Sequence, residues 1–322
     1  MRSSWLRVQQ PISHPAKVLL SLLSFLLPIG LWCLVSYEPF IWHPEVAITD
    51  IGSVSYLQPG MQMENADFNS AVADARAAHQ APPKGVPANP IYLPAPGDVA
   101  QAFYTAFVTP PAEQDGQWLH QVLWHSIQII FWGFVISSII GVPLGILCGA
   151  YQPISRLCEP FVEFFRYLPA PAFGALAVAI LGIYDAPKIA IVVIGTLFQQ
   201  ILIIANTTRK MDGALLEAAM TLGTREHQLL RHVVLPAILP DLYRDQRILL
   251  GWAWTYLIVA ELIGALSGIT WFITQQARYL HFANVYAAII MIGILGFGTD
   301  LVLGFLGRRL FPWDRTLGKE KT

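Results

Sequence analysis

Six long apolar runs, separated by polar segments, dominate the pattern of the chain. Their lengths are close to or above the about 20 residues that a helix needs to cross the hydrocarbon layer of a bilayer. The only charges within these runs are Glu261 and Asp300. The runs occupy residues 18–37, 122–150, 167–184, 189–208, 248–266 and 285–307. The pattern predicts an all-α polytopic membrane protein with about six transmembrane helices.

The first run follows the basic residues Arg2, Arg7 and Lys17, an arrangement also found in signal peptides. Its apolar stretch is longer than a typical signal core, and no A-x-A cleavage site follows it. The dipeptide Glu38-Pro39 comes next instead. We therefore expect an uncleaved first transmembrane helix.

Composition agrees with a chain surrounded largely by membrane lipid. Hydrophobic residues make up 55% of the 322 residues, charged residues make up 13%, and the mean hydropathy is +0.51. Soluble domains usually carry about 25% charged residues. The net charge of −1 argues against nucleic-acid binding through bulk positive charge. The three cysteines, Cys33, Cys148 and Cys158, show no metal-binding spacing and are interpreted as packing residues.

The distribution of lysine and arginine predicts the orientation of the six runs. With the N-terminus inside, the inner segments hold sixteen of these residues and the outer segments hold four. Basic residues concentrate on the cytoplasmic side of membrane proteins. We therefore expect both termini in the cytoplasm. The regions predicted in this way are 1–37, an external segment at 38–118, a core with five transmembrane helices at 119–311, and a tail at 312–322.

The external segment is rich in proline and in acidic residues. It holds eleven of the 23 prolines, nine acidic residues and two basic residues. Such a composition predicts a loop-rich, partly ordered segment. Residues 65–79 fit a short helix, and Asp98 fits the start of a second one. A docking surface for an external partner and a tolerated insertion both remain open.

The longest cytoplasmic segment, residues 209–247, has the pattern of two short helices. Asp212 suits the N-cap of a helix over 214–222, and Gly223 suits the left-handed position after it. Thr224 suits the cap of a second helix, which we expect to end before Pro236. Such a pair either packs on its own bundle or inserts into a groove of a partner.

This segment resembles the EAA loop of ABC importer permeases. The residues that carry the likeness, at matching spacing, are Glu217, Ala218, Ala219, Gly223, Val233, Leu235 and Pro236. Further stretches are similar to the nitrate, sulfonate, taurine and bicarbonate permease subfamily: 93–96, 125–127, 141–149, 166–169, 251–254 and 260–262. The chain departs from that subfamily in a longer external segment at 42–89 and in having Asp245 and Gln246 before Arg247, where a glycine is usual.

The resemblance implies a type I ABC importer-like permease core in the bacterial inner membrane. It also implies a homodimer of this chain, two ATPase subunits below it and a periplasmic solute-binding protein above it. Glu217 would be the polar anchor of the coupling helix, Ala218 and Ala219 would allow close approach, and Gly223 would make the turn. The solute would be a small oxyanion or organosulfonate of the nitrate, taurine, alkanesulfonate or bicarbonate class. ATP and Mg²⁺ would bind in the partner ATPase, and this chain would bind no cofactor.

The sequence contains no pattern of an enzyme. It lacks the phosphate-binding G-x-x-x-x-G-K-[ST] loop, the zinc motif H-E-x-x-H and the nucleophile motif G-x-S-x-G. We therefore expect no catalytic and no metal-binding residues. The main alternative is a self-sufficient secondary transporter, which would predict paired charges near the midplane and an internal repeat.

Polar residues inside the apolar runs are candidates for the translocation path, because they tend to face a cavity or a neighbouring helix. These candidates are Ser137, Gln199, Gln200, Thr255 and Tyr256, with Ser138 and Asn206 beside them. Gln199 and Gln200 point apart, since neighbours on a helix differ by about 100°. Interhelical hydrogen bonding is the open alternative for each of them.

Four charged residues are candidates for either gating or structural pairing: Arg166, Arg247, Glu261 and Asp300. Asp300 lies in the inner half of its run, within reach of Arg247 or Arg308. Glu261 lies toward the outer end of its run, where a base such as Arg278 is a possible partner. An acid in an anion path would repel the solute, which favours structural pairing for Glu261.

Overall fold

The computed structural model describes residues 13–38, 41–110, 118–263 and 267–314. The described chain is mostly helical and divides into two compact units. Unit one contains the described residues of Met1–Thr105 and Gln276–Ala287. Unit two contains those of Ala106–Gln275 and Ala288–Lys321.

Unit one combines a long apolar helix with a small antiparallel sheet. Its elements are α1 (His14–Tyr37), β1 (Glu45–Asp50), β2 (Gln62–Glu64), α2 (Asn65–Ala77), β3 (Lys84–Ala88) and most of α3 (Pro96–Val108). The strand order is β2-β1-β3. The predicted helices at 65–79 and at Asp98 are confirmed by α2 and α3.

The sheet corrects two predictions. The described chain is not all-α, and the described part of 38–118, which we expected to be loop-rich, contains three strands and two helices. In β1, Val46 and Ile48 are buried while their neighbours are partly or fully exposed, which is the alternation of a half-buried strand. Gly85 of β3 lies opposite Ile48 and leaves room for the Val46 side chain. Strands of three to six residues are too short to stand out among eleven prolines.

α1 is apolar around its whole circumference, and none of its most apolar window is buried. Near its end, Trp32 stacks on Tyr286 at 5.7 Å and its indole N–H donates to the Pro94 carbonyl at 3.2 Å. The Tyr37 hydroxyl accepts a hydrogen bond from the Gly97 N–H at 2.9 Å. These contacts hold the end of α1 against Tyr286, against Pro94 and against the first turn of α3.

Unit two is a bundle of helices. Its elements are α4 (Leu119–Ala150), α5 (Gln152–Arg166), a 3-10 turn (Ala170–Phe173), α6 (Gly174–Leu181), α7 (Asp185–Arg209), α8 (Gly213–Thr221), α9 (Glu226–Leu229), a π turn (Leu230–Val234), α10 (Leu235–Ile263), α11 (Ile269–Arg278, to residue 275) and α12 (Phe282–Leu310, from residue 288). The most extensive contact is between α4 and α7. Gly141, Gly145 and Gly149 of α4 face α7, where a Cβ on Gly145 would lie 2.8 Å from the Ile201 carbonyl oxygen. The glycine repeat therefore allows close packing of α4 on α7 within the chain.

Within the described part of the chain, four helices are long and apolar enough to cross a membrane, namely α1, α4, α7 and α12. The pair α5 and α6, bent by 87°, makes a fifth span if it is counted as one. The predicted span over 167–184 is interrupted at its start, since α5 ends at Arg166 and α6 begins at Gly174. Pro169 and Pro171 lie in this break, because proline cannot continue a helix interior. α10 contains the fifth predicted run and is not among the helices that meet both criteria.

Candidate functional site

The segment 209–247, which the sequence predicts to be cytoplasmic, forms a short helix that ends in a tight glycine turn. The Asp212 carboxylate accepts a hydrogen bond from the Ala214 N–H at 3.0 Å and so caps α8. After the helix, Gly223 has φ +76° and its N–H donates to the Met220 carbonyl at 2.9 Å. The Thr224 N–H donates to the Ala219 carbonyl at 3.3 Å, which completes a Schellman motif. The predicted cap and turn are confirmed.

The second half of the segment differs from the prediction. Thr224 does not cap α9, because its hydroxyl donates back to the Ala219 carbonyl at 2.7 Å, and Arg225 holds the cap position. The helical path also continues past Pro236, which lies in the first turn of α10. The π turn Leu230–Val234 precedes this proline. The wider π turn accommodates Pro236, which has no N–H to donate and whose ring crowds the preceding turn.

α8 has one face against the bundle and one face in the open. Ala219 is buried, and Leu216 packs on a core of Ile146, Ile204, Val234, Ile238 and Leu242. Three large apolar side chains on the flanks of this buried strip and at the C-cap, Leu215, Met220 and Leu222, are exposed by 48%, 55% and 86%. We call these three residues the apolar face of α8. Exposed large apolar side chains at a helix end are typical of a docking surface.

The remaining residues of the EAA-like pattern surround this face. Glu217 and Ala218 are exposed, and among the described residues the Glu217 carboxylate has no hydrogen-bond or ion-pair partner. A Cβ on Gly223 would meet no atom within 4 Å, so its requirement for glycine comes from the backbone angle alone. Leu235 is half-buried and Pro236 is exposed.

Gln200 joins three helices through buried hydrogen bonds. Its amide oxygen accepts from the Ser137 hydroxyl at 2.7 Å, and its amide nitrogen donates to Ser138 at 2.9 Å and to Gln246 at 2.7 Å. Ser137 and Gln200 are fully buried. For these two path candidates, the structure has the interhelical hydrogen bonding that the sequence left open as the alternative.

Gln199 points away from this network, as predicted. It lines a cavity of about 180 Å³ whose other polar lining residues are Arg166, Asn206, Arg209, Glu159 and Glu163. The Arg166 guanidinium lies over the Tyr167 ring at 4.5 Å. The other two path candidates are on α10, where Thr255 is exposed and the half-buried Tyr256 packs on Gly195.

Glu261 is fully buried and holds the beginning of α11. Its carboxylate accepts hydrogen bonds from the Ser126 hydroxyl at 2.5 Å and from the Thr270 N–H at 2.8 Å. Ser126 in turn accepts from the Ile269 N–H at 2.9 Å. A hydroxyl and a peptide N–H therefore hold this carboxylate, where we expected a base such as Arg278. Ser126 belongs to the 125–127 stretch, but nothing local in the sequence indicated this partner.

Two further charged groups connect helices of unit two. The Arg247 guanidinium donates two hydrogen bonds to the Asp300 carboxylate, at 3.0 and 2.9 Å, which confirms the predicted pair. Lys188 is almost completely buried and binds Asp185 at 3.2 Å and the Ser267 hydroxyl at 3.0 Å. The sequence analysis did not identify the Lys188 group. Among the described residues, no group of three or more His, Cys, Asp or Glu side chains is placed to hold a metal ion.

Known proteins share this arrangement. The family described as the binding-protein-dependent transport system inner membrane component matches residues 141–312. A probable ABC transporter permease protein of Brucella abortus (strain 2308) is 31% identical over 224 residues, which cover 70% of this chain and 87% of the relative. The taurine transport system permease protein TauC of Escherichia coli (strain K12) is 30% identical over 225 residues, which cover 70% of this chain and 81% of the relative.

The fold is also similar to a solved structure, the MetNI methionine ABC transporter in inward-facing conformations. The TM-score is 0.53 at 21% identity, and the likeness covers 62% of this chain and 95% of the other. At this identity the structural likeness supports the fold alone. The family assignment rests on the sequence matches. The chain belongs to the family of binding-protein-dependent transport system inner membrane components, the permease subunits of ABC importers.

Proposed function

We propose that this permease subunit works as a homodimer with two ATPase subunits in the bacterial inner membrane. It carries a small oxyanion or organosulfonate that a periplasmic binding protein delivers. The observation that supports the proposal is the apolar face of α8, which lies beside the unpaired Glu217 and is fixed to the bundle through Leu216 and Ala219.

The coupling step follows from this geometry. The apolar face of α8 enters a groove of the ATPase, and Glu217 binds a polar group at its rim. Closure of the ATPase dimer on ATP then moves α8, and the motion passes through the Leu216 core to α4, α7 and α10. ATP binding thereby favours one of two arrangements of the permease. ATP and Mg²⁺ stay in the ATPase.

The proposed topology has six spans with both termini in the cytoplasm. It adds α10 to the four apolar helices and counts α5 with α6 as one broken span. Arg247 and Asp300 neutralise each other in the inner half of two of these spans, which lowers the cost of placing them there. The distribution of sixteen inner against four outer basic residues supports this orientation.

The solute class follows from the character of the polar groups and from the similarity to a taurine permease. Gln199 and Asn206 offer neutral amide donors beside the Arg166 guanidinium, in a cavity that is also lined by Glu163 and by Glu159, which pairs with Arg209. Such donors suit the oxygens of a sulfonate, nitrate or bicarbonate. We therefore place these side chains along the route of the solute, while Gln200 and Ser137 hold the helices around it.

A paired substitution tests the docking role of α8. Leu222→Asp places a charge in the apolar face of α8, whereas Leu157→Asp changes an equally exposed leucine, 79% accessible, on α5. We expect the ATPase to co-purify with wild type and with Leu157→Asp and to be lost from Leu222→Asp. Equal retention of the ATPase by both variants would contradict the proposed docking surface.

A further inference from the structure

Two of the three cysteines lie together at one end of the bundle of unit two. Cys148 is two residues before the end of α4, and Cys158 is in the second turn of α5. Their thiols are free and lie within hydrogen-bonding reach of each other. The third cysteine, Cys33, belongs to α1 in unit one. The transport mechanism uses none of these thiols, so it does not explain the close approach of Cys148 and Cys158.

The surroundings hold the two sulfur atoms in place. Cys148 is 1% exposed and packs with Val162, Ile201 and Ala205, and the partly buried Cys158 packs on the same cluster. A single residue, Tyr151, joins α4 to α5. A disulfide requires two Cβ atoms about 3.5–4.5 Å apart, and thiols of two packed helices within reach of a hydrogen bond are close to this geometry.

The two thiols differ in accessibility. Cys158 is partly exposed, whereas Cys148 is buried. In redox-sensitive sites, an accessible thiol reacts first with the oxidant and a neighbouring thiol then resolves the product. Under the proposed topology the pair lies near the cytoplasmic side, where thiols are kept reduced and disulfides are mostly transient. Cys158 therefore has the position of the attacking thiol, and Cys148 has that of the resolving thiol.

α5 connects this pair to the route proposed for the solute. Glu159, which follows Cys158, pairs with Arg209 of α7. At the other end of α5, Arg166 lines the same cavity as Gln199. Under the proposed function, opening this route moves α5 relative to its neighbours. A covalent bond between α4 and α5 would oppose that movement.

We propose that Cys148 and Cys158 form a reversible dithiol–disulfide switch, which hydrogen peroxide oxidises and whose disulfide stops transport. The Cys158 thiolate attacks one peroxide oxygen, so that an S–O bond forms, the O–O bond breaks and one water leaves. The Cys148 thiolate then attacks the Cys158 sulfur, so that the S–S bond forms, the S–O bond breaks and a second water leaves. The two sulfurs together give two electrons to the peroxide, and both thiol protons end in water. A dithiol reductant reverses the reaction. The effect on transport rests on the proposed function, whereas the disulfide does not.

The disulfide is tested on the full-length permease in phosphatidylcholine nanodiscs, without the ATPase. The protein is treated with hydrogen peroxide, its remaining free thiols are alkylated, and it is digested with trypsin. Trypsin cuts after Arg156, which lies between the two cysteines, so a disulfide joins two peptides that are otherwise separate. We expect mass spectrometry to find these peptides joined and Cys33 alkylated. Alkylated Cys148 and Cys158, or equal joining of either one to Cys33, would overturn the proposal.

Three variants test the order of the steps. In Cys148→Ala, the sulfenic acid of Cys158 should accumulate and be trapped by dimedone, because the resolving thiol is missing. In Cys158→Ser, dimedone should not label Cys148, which is 1% exposed. Cys33→Ser is the matched control and should form the disulfide as wild type does. Labelling of Cys148 without labelling of Cys158, or loss of the disulfide in Cys33→Ser, would contradict the assigned roles.

The effect on transport is measured on the complete complex in proteoliposomes. Hydrogen peroxide should remove most of the solute uptake by wild type, and a dithiol should restore it. Cys158→Ser should keep its uptake under peroxide, which also controls for oxidation of the partner subunits. Full uptake by wild type that carries the disulfide would overturn the switch. No uptake of any candidate anion by the reduced wild type would refute the proposed function, and with it the transport effect, while the mass-spectrometric result would still decide whether the pair forms.

Discussion

Ser126 and Glu261 act together at a helix terminus that neither residue belongs to. The Ser126 hydroxyl donates to Glu261 and accepts from the Ile269 N–H, so it links α4, α10 and α11. Gly268, with φ +105°, leaves room for the carboxylate, since a Cβ there would lie 2.2 Å from a Glu261 oxygen. A carboxylate next to the first N–H groups of α11 also interacts favourably with the helix dipole.

We predict that Ser126→Ala destabilises the protein by about 1–3 kcal/mol, because it leaves a buried carboxylate oxygen and a buried N–H without partners. Thermal unfolding of the purified protein in detergent measures the loss. Ser70→Ala, which removes an exposed hydroxyl of α2, is the control and should leave the unfolding temperature unchanged. A Ser126→Ala protein as stable as wild type would show that the Ser126 hydrogen bonds contribute nothing to folding.

At the residue scale, the sequence predicted partners where opposite charges lay in apolar runs. Arg247 and Asp300 are such a case, because an ion inside a membrane needs a counter-ion and few were available. The partner of Glu261 was not predictable. Ser126 lies 135 residues away along the chain, and nothing in the sequence distinguishes its hydroxyl from those of the other serines.

At the scale of elements, the adjacent residues Gln199 and Gln200 of α7 are predicted to have different roles, one in solute passage and one in helix packing. Gln200→Leu should lower stability by about 1–3 kcal/mol, because Ser137, Ser138 and Gln246 lose their buried partner. Gln199→Leu should leave stability unchanged and reduce solute uptake, because Gln199 lines a cavity. Thermal unfolding and uptake into proteoliposomes, measured on both variants, separate the two roles. The opposite assignment of effects would place Gln200 on the path.

Contact between α4 and α7 depends on the absence of side chains at three glycines. Gly145→Ala should destabilise the bundle by about 1–3 kcal/mol, because the new methyl group meets the backbone of α7. Gly251→Ala is the matched control on α10, where no atom lies within 4 Å, and should stabilise by about 0.5–1 kcal/mol. Unfolding by denaturant in mixed micelles measures both changes, and a stabilised Gly145→Ala would refute the packing role.

Long elements were predictable from their hydrophobic length, and short or broken ones were not. α1, α4, α7 and α12 agree with apolar runs to within a few residues. The sheet was missed because its strands are short and lie among prolines. The break between α5 and α6 was indicated by Pro169 and Pro171, but its 87° bend depends on tertiary packing. α10 begins just before Pro236 and is preceded by a π turn, and no local sequence pattern predicts that turn.

At the scale of the whole molecule, the apolar surfaces agree with a multi-pass membrane protein. The most apolar windows of α1 and α12 are 0% and 11% buried, so most of their apolar area needs lipid or another protein chain. α8 adds a smaller apolar surface, which a partner subunit would cover under the proposed function. The family assignment agrees with the first feature, because an inner-membrane component is surrounded by lipid. Under the proposed function, an ATPase would cover the second.

The central claim is that α8 transmits the ATPase cycle to the bundle, and substrate-stimulated ATP hydrolysis tests it most directly. Wild type and Gly223→Pro are compared in lipid with the ATPase and the binding protein, and each candidate anion is added in turn. Proline cannot adopt the φ of +76° at this position, so the turn after α8 must change. We predict that one anion stimulates hydrolysis in wild type and that the assembled Gly223→Pro complex loses this stimulation. Full stimulation in an assembled Gly223→Pro complex would contradict the account.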